Sequence, residues 1–176
     1  MTKNQRLVFI ALLAAQAVVI SLVERAIPFP FAVAPGAKLG LANLLTCIAF
    51  YTLSKKDTFC VVAIRLMLAT LLGGTISTFL YSAAGTLLSF IGMCAVYNLG
   101  PKRVSIIGVS VTGAVLHNVG QLLVASWIAQ TWTVMLYLPV LSVIGILAGI
   151  AVGIAANYLL INVEKLHYFY ELHPKL

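Results

Sequence analysis

The feature that most limits what this chain can become is a succession of long apolar runs with almost nothing between them. The runs cover residues 7–24, 39–53, 58–72, 85–99, 104–129 and 134–161. About 20 apolar residues in a helix cross the roughly 30 Å of bilayer hydrocarbon. Hydrocarbon offers backbone N–H and C=O groups no partner, so each run must satisfy its own as a helix. Of the residues, 62% are apolar and 9% charged, against about 45–50% and about 25% in soluble domains. A water-soluble enzyme is excluded. The expectation is an all-α membrane protein: one integral domain over residues 1–176, a six-transmembrane-helix bundle.

The punctuation between the runs sets the expected orientation. Lys3 and Arg6, Lys55 and Lys56, Lys102 and Arg103, then Lys165 and Lys175 fall at every second boundary. By the positive-inside rule both termini and two short loops are cytoplasmic, in a multi-pass membrane protein. This also accounts for the net charge of +7 without nucleic acid. The Pro-rich stretch from Glu24 to Lys38, the small-residue stretch Gly73–Ala84 and the turn bearing Trp127 and Trp132 then face outward. Prolines at 28, 30 and 35 forbid a continuous helix in the first of these. The runs 58–72 and 85–99 are short, so a five-span or re-entrant arrangement near Gly73–Gly85 is an alternative. The run after Arg6 continues through Val23, longer than most signal-peptide cores, despite the Ala15-Gln16-Ala17 pattern.

Several chemistries are missing. No GxxxxGK[ST] segment is present to cradle ATP phosphates. Asp57 is the sole aspartate, so clustered carboxylates cannot hold Mg²⁺ on a diphosphate. His117 is the sole histidine outside the C-terminal tail, and Cys47, Cys60 and Cys94 lie within apolar runs, where they read as small buried hydrophobes. The expectation is no catalysis, no metal and no cofactor.

Polar groups at membrane depth are costly and usually functional. Arg65 sits midway along the third run, as a ligand-anion contact or a structural partner of helix-end groups. His117 and Gln121, four apart, share one helix face, with Asn118 about 100° away. Lys38 and Asn43 flank the outer entrance of the second run, where Lys38 could close over an anionic group or snorkel to the interface. Tyr81, with Trp127 and Trp132, covers a pocket from outside or belongs to an aromatic belt. The candidate ligand contacts are therefore Lys38, Asn43, Arg65, Tyr81, His117, Asn118 and Gln121. Small residues form two strips that allow close helix contact in lipid: Ala11 and Ala15 with Ala14 and Ala17, and Gly145, Gly149 and Gly153.

With those residues in view, the chain resembles the substrate-binding S components of energy-coupling factor (ECF) transporters, which import vitamins and micronutrients. Ala11-x3-Ala15 on a first helix looks like the alanine motif that S components use to dock on a transmembrane T subunit. The run Pro35–Asn43 resembles the segment, often lysine-bearing, that enters their second helix, and Gly73–Gly92 resembles their third and fourth. More narrowly, APGAKLGLAN at Ala34–Asn43 with HNVGQ at His117–Gln121 looks like the family labelled heptaprenyl diphosphate synthase component I, or Gx transporter. The chain departs from prenyl synthases in lacking any DDxxD segment.

The resemblance implies a bundle that captures a small compound, anionic or isoprenoid-related, from outside. A T subunit and two cytoplasmic ATPases would be its partners and would supply ATP hydrolysis. It implies a pocket near the outer face, with Lys38, Asn43 and Tyr81 in that region and Arg65, His117 and Gln121 as its floor. The alternative is a non-catalytic membrane accessory subunit of a polyprenyl diphosphate or quinone pathway enzyme.

Overall fold

The computed structural model describes residues 3–26 and 41–172, with side chains over 3–24 and 41–162. Among these residues it is all-helical: α1 Lys3–Ala26, α2 Asn43–Thr52, α3 Lys55–Leu71, α4 Ile76–Tyr97, α5 Ile106–Ile128, a 3₁₀ helix Trp132–Tyr137, and α6 Leu138–Leu172. Four segments are long and apolar enough to cross a bilayer: Lys3–Glu24, Ile76–Tyr97, Ile106–Ile128 and Trp132–Asn162. This marks a multi-pass membrane protein.

Of the six expected spans, these four are long enough to cross; the second and third runs form shorter helices. α2 has 10 residues and rises about 15 Å, half the hydrocarbon thickness. It packs against α1, α3, α5 and α6 and buries Leu45, Cys47, Ala49 and Phe50. A helix enclosed by its neighbours has no lipid thickness to match. α3 has 17 residues, about 25 Å.

The fourth run also begins earlier than expected, at Ile76 rather than 85. Thr75 caps it: its hydroxyl accepts from the Thr78 N–H at 3.2 Å, and the Thr78 hydroxyl accepts from the Thr75 N–H at 2.7 Å. That reciprocal box starts the helix. Residues 76–84 are therefore the first turns of a continuous α4. Ser82 is buried, and Ala84 and Gly85 are small where the α5 backbone lies close.

α5 is the centre of the packing, flanked by α4 and α6. A Cβ on Gly120 would lie 2.6 Å from the Ala84 carbonyl oxygen and 2.7 Å from Gly85 Cα, so the two backbones touch where α4 and α5 cross. On the other side, the expected glycine strip packs α6 onto α5: Cβ atoms on Gly149 and Gly153 would lie 2.7 Å from Val111 Cα and Ile107 Cα. α1 is peripheral, resting on α3 and α2 through Ile10, Leu13, Ala14 and Ala17. Its Leu7, Val8, Leu12, Val19 and Val23 are exposed, as suits a face toward lipid. Cys47 is buried, but Cys60 is exposed, a departure from the expectation of three buried thiols.

The basic starts of α1 and α3 meet the end of α4 at one end of the bundle. Arg6 Nη2 pairs with Asp57 Oδ1 at 2.5 Å, tying the start of α1 to the start of α3. Lys55 Nζ donates to Asn98 Oδ1 and lies over the Tyr97 ring, tying α3 to the end of α4. Asp57 also accepts from the Ser54 hydroxyl at 2.7 Å. The Arg6 hydrogen bond, then that of Ser54, holds the Asp57 carboxyl below its ordinary range.

Candidate functional site

Away from that basic end, five helices turn polar groups toward one point. α1 contributes Ser21 and Glu24, three residues apart and so on one face. α2 contributes its first residue, Asn43, beside Ala42. Arg65, Leu66 and Ala69 come from the second half of α3, Ser82 and Thr86 from the first half of α4, and His117 from the middle of α5. Together they line a cavity of about 30 Å³. At about 10–15 Å³ for each water-sized atom, that is room for two or three.

The lining is buried and charged. Glu24 and Arg65 are each 7% exposed and Asn43 is 6% exposed. A buried charge survives only with compensating partners. Arg65 Nη2 donates to Thr86 Oγ1 at 3.2 Å, and the negative charge of Glu24 acts on it across the cavity. Glu24 Oε1 accepts from the Leu41 N–H at 3.4 Å, just before α2. The Ser21 hydroxyl donates to the Ala17 carbonyl at 2.8 Å, which spends its proton and leaves its oxygen as an acceptor. Asn43 Nδ2 is buried with no hydrogen-bond partner among the described residues. The start of α2 lies at the same space, where the positive end of the helix dipole adds partial positive charge. The arrangement can grip a small polar or anionic group. Among the described residues no three His, Cys, Asp or Glu side chains sit together as metal ligands.

The structure brings Asn43, Arg65 and His117 together and separates the other candidates. Asn118 Nδ2 donates to the Leu141 carbonyl at 2.7 Å, so this amide links α5 to α6. Gln121 is buried but packs toward α4, its Cγ 3.0 Å from where a Gly85 Cβ would stand; it does not line the cavity. Tyr81 is half-buried and precedes the lining residue Ser82 without joining the wall. Lys38 lies outside the described residues. Ala11 and Ala15 are exposed on α1, while Ala14 and Ala17 are buried at 1% each, so the alanine strip divides between an outer and an inner face.

Four lining groups escaped the sequence reading. Glu24 stands there only as the start of the Pro-rich stretch, and Ser21, Ser82 and Thr86 carry no mark of a site. The available signal was the spacing of Ser82 and Thr86, one turn apart on a helix facing Arg65.

A second concavity, of about 370 Å³, lies between α1, α2 and α6 and is lined by apolar side chains, among them Ile20, Val23, Leu41, Leu44 and Val152.

No curated protein and no solved structure matches the chain. The family model described as heptaprenyl diphosphate synthase component I matches residues 13–159, a stretch that contains every residue of the cavity wall. With that extent matched, the chain belongs to the heptaprenyl diphosphate synthase component I family.

Proposed function

We propose that the protein is the substrate-binding membrane subunit of an ECF-type importer, capturing a small compound from outside for uptake driven by partner ATPases. The observation that carries this reading is the convergence of Arg65, Asn43, His117 and Glu24 on one buried cavity. That much buried polarity exceeds what helix packing requires, and polar groups at membrane depth usually mark a pathway or a ligand. The cavity lies away from the end bearing Arg6, Lys55 and Asn98. The positive-inside rule assigns that basic end to the cytoplasm and so opens the cavity outward. The chemistry of the chain favours binding over synthesis: its one aspartate is engaged by Arg6 and Ser54.

Partners follow from the same reading. Ala11 and Ala15 leave a smooth exposed patch on α1, beside exposed Leu7, Val8 and Leu12. Small residues let another membrane helix approach closely, which suits a T subunit there, with two ATPases below it. The test is co-expression with a T subunit and its ATPases, followed by co-purification and ATP-dependent uptake. Ala11→Trp with Ala15→Trp abolishes assembly while the isolated chain still folds. Unchanged assembly and uptake in that variant contradicts the docking role.

A second reading is favoured by the family description, which names one component of a synthase and so implies a further component. The apolar groove between α1, α2 and α6 suits a lipid chain. On this reading the protein is a non-catalytic accessory subunit presenting a prenyl substrate to a soluble partner. It predicts that deletion lowers prenyl diphosphate synthesis in membranes supplied with substrate from inside; no change removes it.

A further inference from the structure

The composition of the cavity wall also limits which chemical group it can hold. Arg65 presents a planar fork of five N–H donors, and its hydrogen bond among the described residues is the one to Thr86. Asn43 Nδ2, on a residue 6% exposed, is a second donor, with no protein acceptor among those residues. The α2 N-terminus, which Asn43 begins, adds a third source of positive potential at the same place. Three donors converge, so the bound group is an acceptor and carries negative charge.

Two observations cap that charge and size. Glu24 stands in the same wall with its own carboxylate, and its field opposes every added negative charge. Glu24 already offsets Arg65, so one added negative charge leaves the site only singly negative beside the positive helix end and the donors, while the several charges of a diphosphate leave it far more negative. The innermost free space of about 30 Å³ admits two or three atoms of water size, which fits the two oxygens of a carboxylate while the rest of the acid extends through the cavity's open side. A diphosphate brings seven oxygens. A guanidinium fork also matches the spacing of two carboxylate oxygens with two parallel hydrogen bonds.

We infer that the cavity between α1, α2, α3, α4 and α5 is a seat for a single carboxylate, held by Arg65 and Asn43, and that it rejects diphosphates. The inference deepens the importer reading and rests on it in taking the cavity as the place where substrate is held. It names the imported class as small monocarboxylic acids.

The experiment uses the full chain in lipid nanodiscs and reads the thermal unfolding midpoint with sodium acetate, sodium butyrate, acetamide, butyramide, inorganic pyrophosphate and isopentenyl diphosphate, with ionic strength held constant by chloride. Acetate and butyrate raise the midpoint in a saturable way, while the matched amides and both diphosphates leave it unchanged. Arg65→Lys keeps the charge and loses the fork, and it weakens acetate binding by about tenfold or more. Asn43→Leu weakens it in the same direction. If the lysine variant does not fold, the probe series on the unaltered chain decides alone. Protection by pyrophosphate or isopentenyl diphosphate, equal protection by amides and acids, unaltered acetate binding in a folded Arg65→Lys chain, or protection by none of the probes overturns the inference. Assembly with a T subunit is read separately. A chain that assembles and imports yet responds only to diphosphate refutes the carboxylate seat and keeps the importer. A chain that binds acetate but never assembles does the reverse.

Discussion

Asp57 is the chain's one aspartate, and its partners give it a testable signature. Hydrogen bonds from Arg6 and Ser54 hold its carboxyl below the ordinary range. Stability from the bridge is therefore complete above the carboxylate value of the unfolded chain and is lost as pH falls through the lower folded value. Unfolding midpoints measured in detergent from neutral pH downward should fall more steeply for the unaltered chain than for Asp57→Asn below about pH 4. Parallel curves would show that the bridge contributes nothing. Gly120 makes a second residue-level prediction. A Cβ there meets backbone atoms at 2.6–2.8 Å, so Gly120→Ala should cost about 1–3 kcal/mol by forcing α4 and α5 apart. Gly108→Ala is the control, because its Cβ meets the tip of the Val104 side chain and little else. Equal denaturation midpoints for the two variants would refute the close crossing.

Helices were legible from the apolar runs because hydrocarbon leaves the backbone no other choice. Their ends were legible only where a capping residue stood. Ser54 and Ser105 cap α3 and α5, close to the boundaries that the basic pairs marked. Thr75 is as good a cap, yet the small residues after it read as a break, since periodicity does not distinguish a helix that packs tightly from a loop. The short α2 was legible as apolar but not as enclosed, because enclosure depends on four other helices. Asn118 shows the same limit at the site. Its neighbours His117 and Gln121 read alike in sequence, and only the position of α6 turned Asn118 toward Leu141. Asn118→Leu should therefore destabilise the α5–α6 pair by about 1 kcal/mol and leave retention of a bound small molecule unchanged. A loss of ligand without loss of stability would return Asn118 to the cavity wall.

At the scale of the whole molecule, the bundle divides its labour between two ends and two faces. Charged side chains tie α1, α3 and α4 together at the basic end. Buried polar groups gather at the other, where the sequence marked Asn43, Arg65 and His117 but not Glu24, Ser82 or Thr86. Those last three are ordinary residues until the fold sets them around a common space. α1 is exposed on its outer face and attached chiefly to α3 and α2, which leaves it accessible to a partner without disturbing α5. Tryptophans at 11 and 15 should accordingly leave the denaturation midpoint within about 0.5 kcal/mol of the unaltered chain while removing co-purification with a T subunit. A large stability loss would show that the patch is internal. The most direct measurement is mass spectrometry of small molecules released from the full chain purified in nanodiscs, beside Arg65→Gln and Asn43→Leu chains and empty discs. The account predicts one low-mass compound at near-equal stoichiometry with the unaltered chain and its loss from both variants. Retention of that compound by the variants, or release of nothing beyond the lipids of the empty discs, would contradict it.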